Sequence, residues 1–435
     1  MASEIAIIGA GYAGMACAVE LAHQCVAVTV FERSHTLGGR ARVVHKDGHT
    51  FDNGQHLLLG AYTELARLLR LTGVSPRLLE RLPLTLHVPR QLHLRAAPLP
   101  APLHLAVGLL RAHGLGWRER IAPLALLRYL KRARFRLPAA MSVAELLSAA
   151  RQPARLRNLV WEPLCVAALN TPMHEASAQI FANVLRDSLA ASAAASELLI
   201  PRIDLSELFP VPAARYLATR DGEVRTGNPI TALVPESEGF RLTGDPHERI
   251  WRQVVIATAP HHAAPLLATI DVCADLAAQI AALPTEPITT VYLAFGPAVT
   301  LPAPMIGLAN GPAQWAFDRA RCGGPAGLIA AVLSAHAPGD SIDPSVIIAQ
   351  LEHELDRILP KPEWVQVITE KRATVASRPN QTRPGNATPR RNLWLAGDYV
   401  GSDYPATLEA AVRAGVKCAR GILETLETRA GVERG

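Results

Sequence analysis

The chain has 435 residues, 49% of them apolar and 19% charged, a composition that is typical of a globular protein and excludes a disordered one. Its net charge is +6, no run approaches the roughly 18 apolar residues of a membrane-spanning helix, and the first residues, Met1-Ala2-Ser3-Glu4, lack the basic start of a signal peptide. The six cysteines form no C-x-x-C pair and the 15 histidines have no ligand spacing, so we expect no metal. These features predict a cytoplasmic protein of two domains.

The stretch from Ser3 to Glu32 reads as a strand, a glycine-rich turn, a helix and a second strand. Gly9, Gly11 and Gly14 have the G-x-G-x-x-G spacing, which lets a pyrophosphate approach the backbone and the helix N-terminus. Glu32 follows Gly14 by 18 residues, where a carboxylate binds an adenosine ribose and repels the 2′-phosphate of NADP. The residues expected to contact this end of a dinucleotide are Gly9, Gly11, Tyr12, Ala13, Gly14, Glu32 and Arg33.

Two further turns follow the second strand. Residues 37–42 contain Gly38-Gly39, whose backbone amides, helped by Arg40 or Arg42, can meet the far end of a cofactor longer than NAD, although an ordinary loop is the alternative. Residues 50–60 end a strand in polar residues and glycine, a pattern typical of backbone close to a ligand. We expect cofactor contacts from Gly39, Arg40, Gly54 and Gln55.

Residues 77–212 are rich in Leu, Ala and Pro and have little strand-like alternation. Between Arg111 and Arg136 there are eight basic residues and one acid, a local balance of +7. Aromatic residues are sparse there and no recognition motif accompanies them, so no nucleic-acid partner is predicted. Leucines 124, 127 and 130, set against Arg128, Lys131 and Arg132, predict an amphipathic helix on the inner face of the membrane; a solvated helix of a substrate lobe is the alternative.

The final motif is a strand that leads into Gly397-Asp398, followed by Tyr404-Pro405-Ala406-Thr407 at the start of a helix. Asp398 can bind a polyol hydroxyl, and Pro405 in the first helical turn would leave the amides of Ala406 and Thr407 facing outward. This field suits the edge of a reduced flavin that carries negative charge. The expected contacts are Gly397, Asp398, Pro405, Ala406 and Thr407, with a structural strand–helix corner as the alternative.

The predicted fold class is α/β, with a Rossmann-like FAD-binding domain and a discontinuous, partly helical α+β substrate domain. Short strand-like runs reappear near Ala213 and end with a buried strand before Pro260. We therefore expect the cofactor domain to comprise residues 1–75, 213–262 and 388–435. The substrate domain is expected at residues 76–212 and 263–387.

These motifs together resemble the start, middle and end of the FAD-dependent amine oxidase and phytoene desaturase superfamily. Residues 51–62 and 161–172 are similar to one branch, the hydroxysqualene dehydroxylases, which are squalene-associated flavoproteins of hopanoid gene clusters. The resemblance implies FAD and the reductive removal of the hydroxyl from hydroxysqualene, or a similar long isoprenoid, to give squalene. Aromatic residues are only 5% of the chain, which disfavours the aromatic cage of an amine oxidase, whereas the Leu- and Ala-rich lobe suits a C30 hydrocarbon.

In the implied reaction an acid protonates the allylic hydroxyl and reduced flavin delivers hydride. His56 is the expected acid, with Asp52 orienting it and Tyr404 as second candidate, because the resemblance places residues 52–56 beside the flavin. A purely structural histidine is the alternative. The electron donor is unidentified, since no second G-x-G-x-x-G provides an NAD(P)H domain. A desaturase that works oxidatively and a non-enzymatic prenyl-binding escort protein are the alternative functions.

Overall fold

The computed structural model describes residues 4–337, 339, 342–401 and 403–432, so both ends of the expected cofactor domain fall partly outside the described residues. Within these ranges the strands form two five-stranded sheets and four smaller ones. Helices cover both larger sheets. The predicted α/β class is confirmed.

The first large sheet is parallel, and every side chain of its two central strands is buried. Its strands lie in the order Glu223–Arg225, Val28–Phe31, Ile5–Ile8, Gln253–Ile256 and Leu393–Leu395. Burial on both faces explains why the central strands are continuous apolar runs without alternation. One face packs on helices Tyr12–His23, Leu205–Leu208, Pro210–Ala218 and Leu408–Val432. The other packs on helices Pro260–Leu267 and Ala274–Ala281 and on the small sheet of Ala232–Pro235, Phe240–Thr243 and Ile250–Trp251.

The second large sheet is antiparallel and forms the floor of a helical lobe. Its strands lie in the order Met305–Gly307, Trp315–Asp318, Leu328–Ser334, Thr285–Ala294 and Trp364–Val375, and helix Pro344–Leu355 covers the face away from the lobe. The helices of the lobe are Leu103–Arg111, Trp117–Arg132, Val143–Ala149, Ala154–Leu156, Glu162–Leu169 and Ala178–Val184, with π-helical turns at Arg157–Trp161 and Leu185–Ala190.

The remaining elements connect these layers. They are helix Thr63–Leu71, the hairpins Val43–Lys46 with His49–Asp52 and Thr85–Val88 with Leu92–Arg95, and the small sheet of Leu58–Leu59, Leu198–Pro201 and Leu79–Leu82. Short 3₁₀ turns lie at Pro76–Leu78, Ala194–Ser196, Asp271–Cys273 and Arg319–Cys322.

Asn170 joins the helical lobe to the antiparallel sheet. It ends helix Glu162–Leu169 with a left-handed backbone (φ 45°), and its side chain is buried. Its amide group donates to the Thr374 hydroxyl at 2.9 Å, and its amide oxygen accepts from the Ala335 N–H at 2.8 Å. Residues 161–172, which carry part of the branch resemblance, therefore contribute this structural junction.

The structure moves one expected domain boundary. The division predicted between residues 212 and 213 falls inside helix Pro210–Ala218. Leu205, Leu208 and Phe209, which precede it, are buried in the same core as the first helix, Tyr12–His23. The chain therefore returns to the cofactor domain before Leu205, earlier than predicted, because Leu- and Ala-rich sequence continues across the junction.

Helix Trp117–Arg132 is amphipathic, but its faces differ from the prediction. Leu126 and Leu130 form the buried side, whereas Leu124 is 52% exposed, so the expected common apolar face of residues 124, 127 and 130 is wrong. The exposed side instead continues from Trp117 through Ile121 and Leu124 at helical spacing. No helix in the described ranges is long and apolar enough to cross a membrane.

Candidate FAD site

The turn after the first strand has one glycine packed against protein atoms, Gly14, and one glycine beside open space, Gly11. At Gly14 a Cβ atom would lie 2.0 Å from the carbonyl oxygen of Gly9, so the helix lies directly on the turn. At Gly11 a Cβ atom would lie 3.9 Å from its nearest neighbours, in Gly38 and Gly39. Protein atoms therefore leave space beside Gly11, between the two glycine-rich turns.

The first helix presents unpaired donors to this space. Its N-cap is Gly11, and the Gly11 carbonyl accepts from the Met15 N–H at 2.9 Å. The Ala13 N–H precedes this first helical bond and can bind an anion, whereas the parallel bridge between Gly11 and Gly38 directs the Tyr12 N–H to the Gly38 carbonyl. The Tyr12 side chain does not face the site, because its hydroxyl donates to the Leu205 carbonyl at 2.8 Å in the core. The Tyr12 side chain therefore belongs to the core and does not reach the site.

Glu32 is buried at the end of the second strand and is held by two backbone amides. Its two carboxylate oxygens accept from the N–H groups of Ala10 and Ser34, each at 2.8 Å. A carboxylate has about four lone-pair positions, so each oxygen can still accept a ribose hydroxyl. Arg33 is exposed, and its charge helps to lower the pKa of His262, which burial lowers first.

An ion pair joins the second glycine-rich turn to the C-terminal motif. One guanidinium nitrogen of Arg40 lies 2.6 Å from a carboxylate oxygen of Asp398, and another donates to the Ala373 carbonyl at 2.6 Å. The side-chain amide of Asn53 donates to the Arg40 carbonyl at 2.9 Å and to Glu370 at 3.1 Å. The C-terminal motif, in which Asp398 lies 358 residues beyond Arg40, therefore meets the two N-terminal turns at Arg40.

A turn follows Asn53 and contains Gly54, Gln55 and His56, with a positive φ of 99° at Gly54. The Gln55 side chain accepts from Arg319 and donates to the His56 carbonyl, so its polar groups are already bound within the protein. His56 Nδ1 lies 2.9 Å from the Gly54 carbonyl oxygen. Because a carbonyl can only accept, Nδ1 carries the proton, and Nε2 of the neutral ring is an acceptor.

The expected pairing of Asp52 with His56 is wrong. One oxygen of Asp52 accepts from the Leu205 N–H at 3.1 Å, and the other lies 3.9 Å from Arg319. His56 takes its partner from Gly54 instead. Burial raises the pKa of Asp52 to about 6 and lowers the pKa of His56, so His56 is neutral near pH 7. The acid role of His56 stays a prediction, and its tautomer argues against it.

The C-terminal helix begins at Leu408, later than predicted. Thr407 caps it, since its hydroxyl accepts from the Ala410 N–H at 3.2 Å and its carbonyl from the Ala411 N–H at 3.0 Å. Pro405 therefore lies before the helix rather than in its first turn, although it is buried with Gly397 and Ala406. The N–H groups that carry the positive end of the helix dipole therefore belong to residues after Thr407.

Tyr404 binds a neighbouring carboxylate. Its hydroxyl donates to Asp187, and the guanidinium of Arg413 lies 4.4 Å from the centre of its ring. Burial, assisted by the bond to Asp187, raises the pKa of Tyr404. A phenol that is held in this way is a poor proton donor near neutral pH, which disfavours its role as the second candidate acid.

Two groups of the site carry no motif in the sequence. Arg383 is partly buried, and its guanidinium donates to the carbonyls of Asp398 at 3.3 Å and of Tyr404 at 3.2 Å. The Thr258 hydroxyl is buried without a hydrogen-bond partner within the described ranges, and its methyl group lies against Gly9. The open space at Gly11, the Ala13 N–H at the helix N-terminus and the Thr258 hydroxyl fit a pyrophosphate, and Glu32 and Asp398 fit the sugar hydroxyls of a dinucleotide.

The described residues contain no group of three or more His, Cys, Asp or Glu side chains that could hold a metal ion.

Curated relatives match almost the whole chain. It is 28% identical to the hydroxysqualene dehydroxylases of Rhodopseudomonas palustris and of Sinorhizobium fredii, with coverage of 96% of this chain and 98% of each relative. A shorter match, 45% identical over 56 residues, covers 13% of this chain and 11% of a 4,4′-diapophytoene desaturase from Staphylococcus aureus. The predicted resemblance to the hydroxysqualene dehydroxylases is confirmed.

Solved structures share the fold. An oxidoreductase from Methanosarcina mazei superposes with a TM-score of 0.74 at 16% identity, covering 97% of this chain and 99% of its own. A putative protoporphyrinogen oxidase from Exiguobacterium gives a TM-score of 0.67 with the same identity and coverage. The predicted cofactor, FAD, and the predicted oxidoreductase class are confirmed. Because the flavin containing amine oxidoreductase family matches residues 12–423, the chain belongs to that family.

Proposed function

We propose that this FAD-dependent oxidoreductase removes the hydroxyl group of hydroxysqualene reductively and releases squalene. The observation that carries the proposal is the full-length similarity to hydroxysqualene dehydroxylases, which covers 96% of this chain and 98% of each of the two relatives. The match to the desaturase covers only 13% of the chain and therefore supports the shared superfamily more than a shared reaction.

The residues next to His56 support a hydrocarbon substrate. Leu57 follows it and packs against both the large core of the helical lobe and a small cluster of Leu84, Ala96 and Leu198. Aliphatic walls of this kind bind a hydrocarbon through burial of apolar surface, at about 25 cal/mol per Å². An isoprenoid chain would therefore lie in the lobe with its hydroxyl group towards the Gly54–His56 turn.

When bound in its reduced form, FAD would supply the hydride of this reaction. Glu32 and Asp398 would hold its sugar hydroxyls, while the amides at Gly11 and the charge of Arg40 would hold the pyrophosphate. His56 Nε2, as an acceptor, would bind the substrate hydroxyl and fix the direction of its oxygen. The aliphatic walls would exclude water, so that hydride rather than solvent meets the reacting carbon.

A separate electron donor completes the proposal. Each turnover of the proposed reaction consumes reduced flavin, and the sequence has one G-x-G-x-x-G motif, which begins at Gly9 in the candidate FAD site. The proposed donor is therefore another reduced molecule or protein rather than an NAD(P)H domain of this chain.

We further propose peripheral attachment to the inner face of the membrane through residues 103–136. Within this region Leu103, Leu110, Trp117, Ile121 and Leu124 are 41% to 67% exposed. Exposed residues of the same region supply positive charge: Arg111, Arg118, Arg128, Lys131, Arg132, Arg134 and Arg136. Exposed apolar side chains with basic neighbours suit an anionic lipid surface, where each basic residue adds on the order of 1 kcal/mol.

The direction of the chemistry tests the proposed reaction. Anaerobic, pre-reduced enzyme mixed with hydroxysqualene should regain the spectrum of oxidised flavin while squalene forms in an equal amount. The control is oxidised enzyme with squalene, which should show no change. If hydroxysqualene leaves the reduced spectrum unchanged while squalene or a longer polyene bleaches the oxidised enzyme, the desaturase alternative replaces this proposal.

A further inference from the structure

A cavity of about 790 Å³ lies beside helix Leu103–Arg111, outside the FAD site. Its apolar wall includes Ala96, Leu99 and Gly108, and its basic residues include Arg95 and Arg111. The volume is within the range of small-molecule sites, about 300–1,000 Å³. The cavity is therefore large enough for a polar headgroup together with the first part of an acyl chain.

His104 lines this cavity and is almost completely buried, at 1% exposure. Neither of its ring nitrogens has a hydrogen-bond partner within the described ranges. This is unusual, because more than nine in ten buried polar groups are paired. Burial lowers the pKa of His104, so the ring is neutral and offers one N–H donor. A ligand with an oxygen acceptor would satisfy that donor.

The basic side chains that line the cavity favour an anionic ligand. Arg81, which also lines it, is paired with Glu197 at 2.8 Å. Arg95 and Arg111 have no ion pair or hydrogen bond from their side chains in the described part of the chain, and both are exposed. Two unpaired guanidinium groups beside an N–H donor suit the oxygens of a phosphate group.

Close packing holds this wall together. At Gly108 a Cβ atom would lie 2.7 Å from the Arg95 carbonyl oxygen, so the helix rests directly on strand Leu92–Arg95. Arg120 fastens the end of the helix by donating to the Leu110 carbonyl at 2.6 Å and to the Ala112 carbonyl at 3.0 Å. The helix that carries His104 and the backbone of Arg95 are therefore fixed before a ligand arrives.

Exposed apolar side chains flank the same cavity. Leu99, Leu103 and Leu110 are 38%, 53% and 46% exposed. A free phosphate ion would leave them in water, whereas a phospholipid would cover them with acyl chains. We propose that this cavity binds the phosphate of an anionic phospholipid headgroup, with these leucines in the acyl-chain boundary. The inference rests on the membrane attachment proposed above and names its lipid site.

The test uses FAD-loaded protein and monomeric dihexanoyl phosphatidylglycerol, with binding measured by titration calorimetry. Wild type should bind saturably, and the variants His104→Phe and Arg95→Gln/Arg111→Gln should each bind about 10-fold more weakly or worse. The matched control, Lys361→Gln/Lys417→Gln, makes the same change in charge at two exposed residues outside both the cavity and residues 103–136 and should bind like wild type. Flavin content and thermal unfolding report whether each variant is folded. The exposed arginine pair keeps the test decisive if His104→Phe does not fold.

Three results would overturn the proposal: no binding by wild type, equal binding by the cavity variants, or equal binding of inorganic phosphate alone, which would make free phosphate the ligand. Pelleting with phosphatidylglycerol vesicles is measured separately. Wild type that pellets but binds no monomeric lipid refutes the cavity site and leaves membrane attachment standing, whereas saturable lipid binding without pelleting refutes attachment alone. Neither measurement depends on turnover, so both are independent of the proposed dehydroxylation.

Discussion

Replacing Gly11 with valine should abolish FAD binding without unfolding the protein. The backbone there has φ −77° and ψ 179°, which any residue can adopt, and a Cβ atom meets no protein atom closer than 3.9 Å. The side chain would instead fill the space that the pyrophosphate needs. Loss of two amide–phosphate hydrogen bonds, at about 1.5–3 kcal/mol each, corresponds to binding weaker by on the order of 100-fold or more.

Gly14→Val is the matched comparison. Its Cβ atom would lie 2.0 Å from the Gly9 carbonyl oxygen, so this variant should fail to fold rather than merely lose FAD. The assay measures flavin absorbance per protein and thermal unfolding with and without added FAD. Ligand at 100 times its Kd stabilises wild type by about 2.7 kcal/mol, and Gly11→Val should show no such stabilisation. Folded Gly11→Val protein that purifies with a full complement of FAD would refute the placement of the pyrophosphate.

Three further predictions follow from single contacts. Arg40→Met leaves the buried carboxylate of Asp398 without its ion pair and should weaken FAD binding in reconstitution titrations; unchanged affinity would contradict the role of this pair. Burial raises the pKa of Asp52 from 3.8 to about 6, so between these pH values the folded protein keeps a proton that the unfolded chain loses. The free energy of unfolding should therefore fall by about 3 kcal/mol as the pH rises from 3.8 to 6. In urea unfolding, Asp52→Asn should remove this part of the pH dependence. Trp117→Ser/Ile121→Ser should reduce pelleting with anionic vesicles, whereas Ile358→Ser, at another exposed apolar residue, should not.

The cofactor motifs were predictable because local spacing determines their geometry. The open position at Gly11 and the filled one at Gly14 follow from the G-x-G-x-x-G pattern, and the strand before Asp398 follows from a buried apolar run. The direction of the Tyr12 side chain was not predictable, since it depends on Leu205, a residue 193 positions away. Arg383 had no signal for a similar reason: two of its partners are backbone carbonyls, which every sequence contains, and the third is the hydroxyl of Ser377, which belongs to no motif.

The lobe shows a second limit of sequence reasoning. Leucine spacing alone does not say which of two apolar stripes of helix Trp117–Arg132 faces the core, because both repeat at helical intervals. Leu126 and Leu130 are buried in the core, whereas the apolar stripe through Leu124 is exposed. The sequence on either side of Leu205 has a similar composition, so composition does not reveal the domain boundary there. Tertiary packing decides to which domain these residues belong.

In the proposed dehydroxylation, the tautomer of His56 limits where the proton for a departing hydroxyl can come from. With Nδ1–H bound to the Gly54 carbonyl, a hydroxyl at Nε2 gives a hydrogen bond to the ring, and its oxygen keeps its lone pairs free. Proton delivery must therefore reach that oxygen from the side away from His56. Asp52 holds a proton more readily than an ordinary carboxyl, but its oxygens face the Leu205 amide and Arg319 rather than His56. Orientation of the hydroxyl and its protonation are thus tasks for different groups, and His56→Ala should raise KM for hydroxysqualene more than it lowers kcat.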